Sequence, residues 1–66
     1  MDSKKIGERL VHLRGDKSQS IVAKACNISP SALSMYEQGE RIPRDKYKIA
    51  LAAYYHTTVQ RLFFDD

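Results

Sequence analysis

Five side chains could do chemistry: His12, His56 and the single cysteine, Cys26, as metal ligands, and Ser31 and Ser34 as nucleophiles. The histidines and Cys26 stand far apart, without the close paired spacing of a zinc site. A serine needs a positioned base beside it, and none is evident near Ser31 or Ser34. No metal, cofactor or catalytic centre is expected, and the chain reads as a non-enzyme. A second grouping is richer. Pro30, Ser31, Ser34 and Met35 are small or flexible, Lys17 precedes them, and Arg41, Arg44, Lys46 and Lys48 follow. A polar, close-approach surface fringed by cations suits nucleic acid, with the fringe on phosphates and the centre on base edges.

The charge balance agrees. The chain has 66 residues with 11 bases and 8 acids, for a formal net charge of +3. Three of the acids, Asp2, Asp65 and Asp66, lie at the ends, so residues 3–64 hold all eleven bases against five acids. A polyanion is the first partner to consider. A membrane is not: the longest apolar run, Ile49 to Tyr55, is seven residues, against the roughly 20 needed to span a bilayer. One unpaired cysteine and no apolar leader suggest an intracellular, cytoplasmic protein. The length allows one domain, residues 1–66, with no room for a ligand-sensing module, so no small-molecule effector is expected.

The elements that must position these residues are all helical. Ile6, Leu10 and Leu13 recur at i, i+4 and i+7 over Ser3–Arg14, with Ser3 as N-cap and Gly15 as the stop. Ser18 caps a second helix, Gln19–Cys26, with Val22, Ala23 and Cys26 facing inward. Asn27 fits a left-handed turn. Ser29-Pro30 is the clearest helix start, a hydroxyl cap followed by a residue with no N–H to leave unpaired. That third helix carries Leu33 and Tyr36 inward and ends at Gly39. A fourth, from Asp45 to His56, places Tyr47, Ala50, Leu51, Tyr54 and Tyr55 on one face. With Ile49, Ala52 and Ala53 also apolar, it is expected to be covered on most sides. Thr57 or Thr58 caps a last short helix, in which one of Phe63 and Phe64 packs inside. The other is a candidate dimer contact. The joint around Asn27 is thus a helix–turn–helix, all-α, that leaves Pro30, Ser31, Ser34 and Met35 on an outer face able to enter a major groove about 12 Å wide.

Five stretches in order strengthen this reading: I-G-E-R-L-x-x-L-R at Ile6–Arg14, S-Q-x-x-V-A at Ser18–Ala23, N-I-S-P-S-A-L-S-M-Y-E-Q-G at Asn27–Gly39, R-I-P-R at Arg41–Arg44 and T-V-Q-R-L-F-F at Thr58–Phe64. Together they resemble the phage-repressor-like helix-turn-helix domains of the Xre and Cro/cI type, over Ile6–Phe64. The resemblance implies a compact five-helix domain that lays its third helix in the major groove of double-stranded DNA. Pro30, Ser31 and Met35 match base-facing positions, with Ser34 beside them. Gln19, Ser29 and Gln38 match backbone-contacting positions, and Arg44 one near the minor groove or backbone. Arg41 joins them as a flanking phosphate contact. Arg14 and Glu37 match a buried ion pair tying the first helix to the third.

Three departures stand out: a shortened loop before Ser18, Asn27 in place of the usual turn glycine, and Asp45 and Lys48 at positions where many members carry leucine. Proline at a reading position also thins direct hydrogen-bond readout, shifting weight to thymine-methyl contact and DNA shape. The function expected is sequence-specific transcription regulation, as a repressor occupying an operator as a homodimer on the nucleoid. The alternative is an antitoxin-type or protein-interaction helical module with weak or no DNA binding.

Overall fold

The computed structural model describes residues 1–65 and contains five helices, with no strand among the described residues. Helix α1 spans Ser3–Arg14, α2 Gln19–Ala25, α3 Pro30–Glu37, α4 Asp45–Tyr54 and α5 Gln60–Phe64. Local chemistry explains most boundaries. Ser18 Oγ accepts from the Ile21 amide and Ser29 Oγ from the Ala32 amide, each at 3.1 Å, capping α2 and α3. The Thr58 hydroxyl does the same for the Arg61 amide at the start of α5. At α1 the cap is Asp2, not Ser3: its carboxylate accepts from the Lys4 and Lys5 amides at 3.0 and 3.3 Å. A full negative charge complements the positive helix end better than a hydroxyl can, so Ser3 becomes the first helical residue.

The stops are left-handed residues. Gly15 has φ 57°, Asn27 60°, Gly39 77° and His56 57°. Asparagine serves where a glycine would be expected, and Ile28 N–H reaches back to the Ala23 carbonyl at 2.8 Å to close the turn. Helix α5 is a single wide turn, closed by the Asp65 amide donating to the Gln60 carbonyl at 2.9 Å.

The core joins Ile6 and Leu10 of α1, Val22 and Ala23 of α2, Leu33 and Tyr36 of α3, Leu51 and Ala52 of α4, and Leu62 and Phe63 of α5. Phe63 is buried and Phe64 is 47% exposed. Two expectations fail here. Leu13 is 39% exposed, and α4 is not enclosed, because Ile49 is 62% exposed and Ala53 also faces out. A bundle this small has too few elements to cover every apolar stripe, and no helix lies over these two. Helix α1 packs chiefly on α3 and also touches α5. Arg9 makes the second contact, its guanidinium donating to the Leu62 carbonyl at 3.1 Å and to the Asp65 carbonyl.

Candidate nucleic-acid interface

Helix α3 is held from behind by the ring of Tyr36, the side chain of Leu33 and the carboxylate of Glu37, all buried. Glu37 is the anchor. Its two oxygens accept from Arg14 Nε at 2.7 Å and Nη2 at 3.1 Å, and from Gln19 Nε2 at 2.7 Å. Arg14 also donates to the Lys17 carbonyl at 2.7 Å. One carboxylate, its side chain 3% exposed, thus joins α1, α2 and α3. Hydrogen bonding to Glu37 raises the already high pKa of Arg14, so the guanidinium stays charged. The Tyr55 hydroxyl is pushed up to about 12, first by burial and then by the charge of Glu37. That hydroxyl is buried without a hydrogen-bond partner among the described residues.

With its back secured, α3 turns Pro30, Ser31 and Met35 outward, all exposed, while Ser34 is half-buried. Gln38 Nε2 donates to Ser34 Oγ at 3.1 Å, so these two present a joined polar edge. Arg41 lies alongside, Nη1 4.0 Å from the Met35 sulfur. Ser29 is spent in part on capping, and Gln19 in part on Glu37, which leaves Gln19 one amide N–H for an outside acceptor.

The cationic fringe is narrower than the sequence suggests. Arg41 and Arg44 are exposed and have no carboxylate within salt-bridge distance among the described residues. Lys48 is drawn away: only 9% exposed, it sits 5.3 Å from the Phe64 ring centre and 3.5 Å from Asp45. Its alkyl stem fills the place of a leucine while the ammonium finds an aromatic face and an acid. Lys17 rests over the Tyr54 ring at 5.1 Å, and Lys46 over Tyr47 at 5.0 Å.

Surface depressions lie beside this face and elsewhere on the bundle. A polar cleft of about 300 Å³ lies between the start of α3 and the connector before α4, bounded by Ser29, Tyr36, Arg41, Arg44 and Tyr47. Motif spacing does not disclose it, because Tyr36 and Tyr47 both read as plain core residues. A shallow apolar patch joins Ile49, Val59 and Phe64 beside Lys48. An apolar groove of about 520 Å³, edged by Lys5, Glu8, Arg9, His12 and Arg61, runs between α1 and α5. Among the described residues no three His, Cys, Asp or Glu side chains gather as a metal site, and no helix is long and apolar enough to cross a membrane.

A family model described as Helix-turn-helix matches residues 13–62, from the last turn of α1 into α5. No curated protein and no solved structure matches the chain.

Proposed function

Since the chain belongs to the Xre- and Cro/cI-type helix-turn-helix family of DNA-binding regulators, we propose that it is a sequence-specific repressor that lays α3 in the major groove of a double-stranded operator. The observation that carries this reading is the outward stripe Pro30–Ser31–Met35, fixed from behind by Glu37 and bordered by the uncommitted Arg41 and Arg44. In this reading Ser31 and Met35 touch base edges, Ser34 supports them, and Pro30 meets a thymine methyl. Gln19, Ser29, Gln38, Arg41 and Arg44 hold the backbone. The setting is the cytoplasm, at the nucleoid.

One helix reads too few base pairs to find a site in a genome, so the operator-bound form is a two-fold dimer. The patch of exposed Ile49 and Phe64 beside half-buried Val59 is the surface a second copy would cover. Selection of bound sites from random duplexes tests both claims. The expected outcome is a palindromic consensus with half-sites about 10 bp apart, and affinity that falls steeply with salt. An unrelated set of sequences, or retention indifferent to salt, would defeat the reading.

The apolar groove between α1 and α5, with a rim of both charge signs, supports the second reading, a protein-interaction module of the antitoxin type. That reading is favoured if the purified chain is not retained on DNA at low salt.

A further inference from the structure

We propose that the cleft between α3 and the connector before α4 is a socket for one backbone phosphate of the bound duplex, gripped jointly by Arg41, Arg44 and the hydroxyls of Tyr36 and Tyr47. The inference rests on the DNA-binding reading above and deepens it. It converts two separate phosphate contacts into one shared site, and gives two tyrosines a task beyond packing.

The donor set is the first argument. Arg41, Arg44, Tyr36, Tyr47 and Ser29 supply the polar part of the lining, Ile28, Ala32 and Ile42 the apolar part, and no acid lines it. Ser29 Oγ already accepts from the Ala32 amide, so its own O–H is free to point outward. A pocket of donors with concentrated positive charge selects an oxyanion. It has little to offer a base edge, which presents donors and acceptors together.

Tyr36 is the second. Its residue is only 6% exposed, so the ring is locked in the core. Its hydroxyl nevertheless has no hydrogen-bond partner among the described residues, and it borders the cleft. The hydroxyl itself is open to solvent rather than sealed in the core, so an arriving phosphate oxygen can replace the water it meets. Both arginines act electrostatically on that hydroxyl, opposing the upward push of burial. The shared cleft lining brings these residues to one place. The ring orders nothing new on binding, whereas a lysine at the same position would have to immobilise a long chain.

Position is the third. The socket opens beside Ser29, immediately before Pro30, at the N-terminal end of the reading helix. A phosphate seated there would fix how far α3 advances along the groove, and so which base pairs meet Ser31 and Met35.

The test is a methylphosphonate walk, neutralising one phosphate at a time in a duplex carrying the selected operator, with the whole chain as binder. Wild type should lose about tenfold or more at one phosphate per half-site. Tyr36→Phe keeps the ring and the core, and should lose most of that single sensitivity while retaining all others. Arg41→Ala and Arg44→Ala should abolish sensitivity at the same phosphate. A parallel titration of the DNA-free protein with inorganic phosphate, followed by tyrosine ring resonances, separates a backbone phosphate from a free anion. Three results would overturn the socket: wild-type sensitivities in Tyr36→Phe, Arg41 and Arg44 mapping to different phosphates, or saturation by inorganic phosphate with no sensitive backbone position. Failure to bind any duplex would instead remove the DNA-binding reading on which the socket depends.

Discussion

A Cβ placed on Gly7 would stand 2.4 Å from the carbonyl oxygen of Glu37, so α1 and α3 touch backbone to backbone at that point. The approach is what brings Arg14, two turns further along α1, level with the Glu37 carboxylate. The obstructing atoms belong to a helix backbone and cannot swing aside. Gly7→Ala should therefore destabilise the fold by about 1–3 kcal/mol, even though alanine is the better helix former by about 0.5–1 kcal/mol. Thermal denaturation reads this directly, since each kcal/mol shifts the midpoint of a domain this size by about 4–8 °C. A midpoint at or above wild type would show that the helices part without penalty.

The ion pair gives a second expectation. Arg14→Met and Glu37→Leu should each cost about 3 kcal/mol, because each strands a charge that the other neutralised. The Arg14 side chain is 20% exposed and that of Glu37 3%, so water softens the charge stranded by Glu37→Leu more than the one stranded by Arg14→Met, which should be the costlier change. The double variant should cost clearly less than the sum of the two. Denaturant titration of all four proteins measures the coupling, and simple additivity would mean the pair contributes nothing as a pair.

Alkaline pH probes Tyr55. Its pKa is about 12 in the folded chain against about 10 when unfolded. Below pH about 10 both states hold the proton and stability is flat. Between about 10 and about 12 only the unfolded state releases it, so stability falls as pH rises. Tyr55→Phe should flatten part of that fall, the remainder belonging to Tyr36 and Cys26, both also raised by burial. At neutral pH the same substitution removes a hydroxyl with no partner and should stabilise by about 1 kcal/mol. Melts across pH 8–12 with the slope unchanged in Tyr55→Phe would contradict the assignment.

Holding and reading should separate by mutation. Arg44→Ala should weaken binding to all sequences and lower the salt slope by about one unit. A loss confined to A·T-flanked sites would place Arg44 in the minor groove instead. Ser31 and Met35 substitutions should alter preference by about 1–3 kcal/mol at one or two operator positions while sparing non-specific affinity. Pro30→Ala should lose affinity only where a particular thymine is present. Binding series over single-base operator variants decide it: unchanged preferences in Ser31 and Met35 variants would mean α3 does not read.

Helix starts were the most legible part of the chain, because Ser18, Ser29-Pro30 and Thr58 act on amides only three residues away. Asn27 was legible for the same reason, its turn being a local conformational choice. Which apolar stripe finds a neighbour is not local. Leu13 has the period of a core residue and Ile49 adds to an apolar run, yet they stay 39% and 62% exposed. Lys48 erred the other way, since a charged type suggests solvent while its stem replaces an aliphatic side chain. Gly7 appeared within a motif, but its necessity comes from α3, 30 residues on in the chain. The Arg14–Glu37 contact, joining distant segments, came into view only through family resemblance. The cleft by Tyr36 came from neither source, because it exists only where α3 and the connector meet.

The contact of Arg9 with the carbonyls of Leu62 and Asp65 has a consequence for the order in which the chain comes apart. A single turn of helix cannot sustain itself, so α5 depends on one guanidinium and on the burial of Leu62 and Phe63. Hydrogen-exchange protection should therefore be layered, with α5 amides opening in a partial unfolding while α1 and α3 stay closed. In that partly open form the outward side of α3 is intact but Phe64 no longer has a fixed place. Under the dimeric repressor reading proposed above, the monomer would still engage a half-site, while pairing across the operator would wait for its last turn to close.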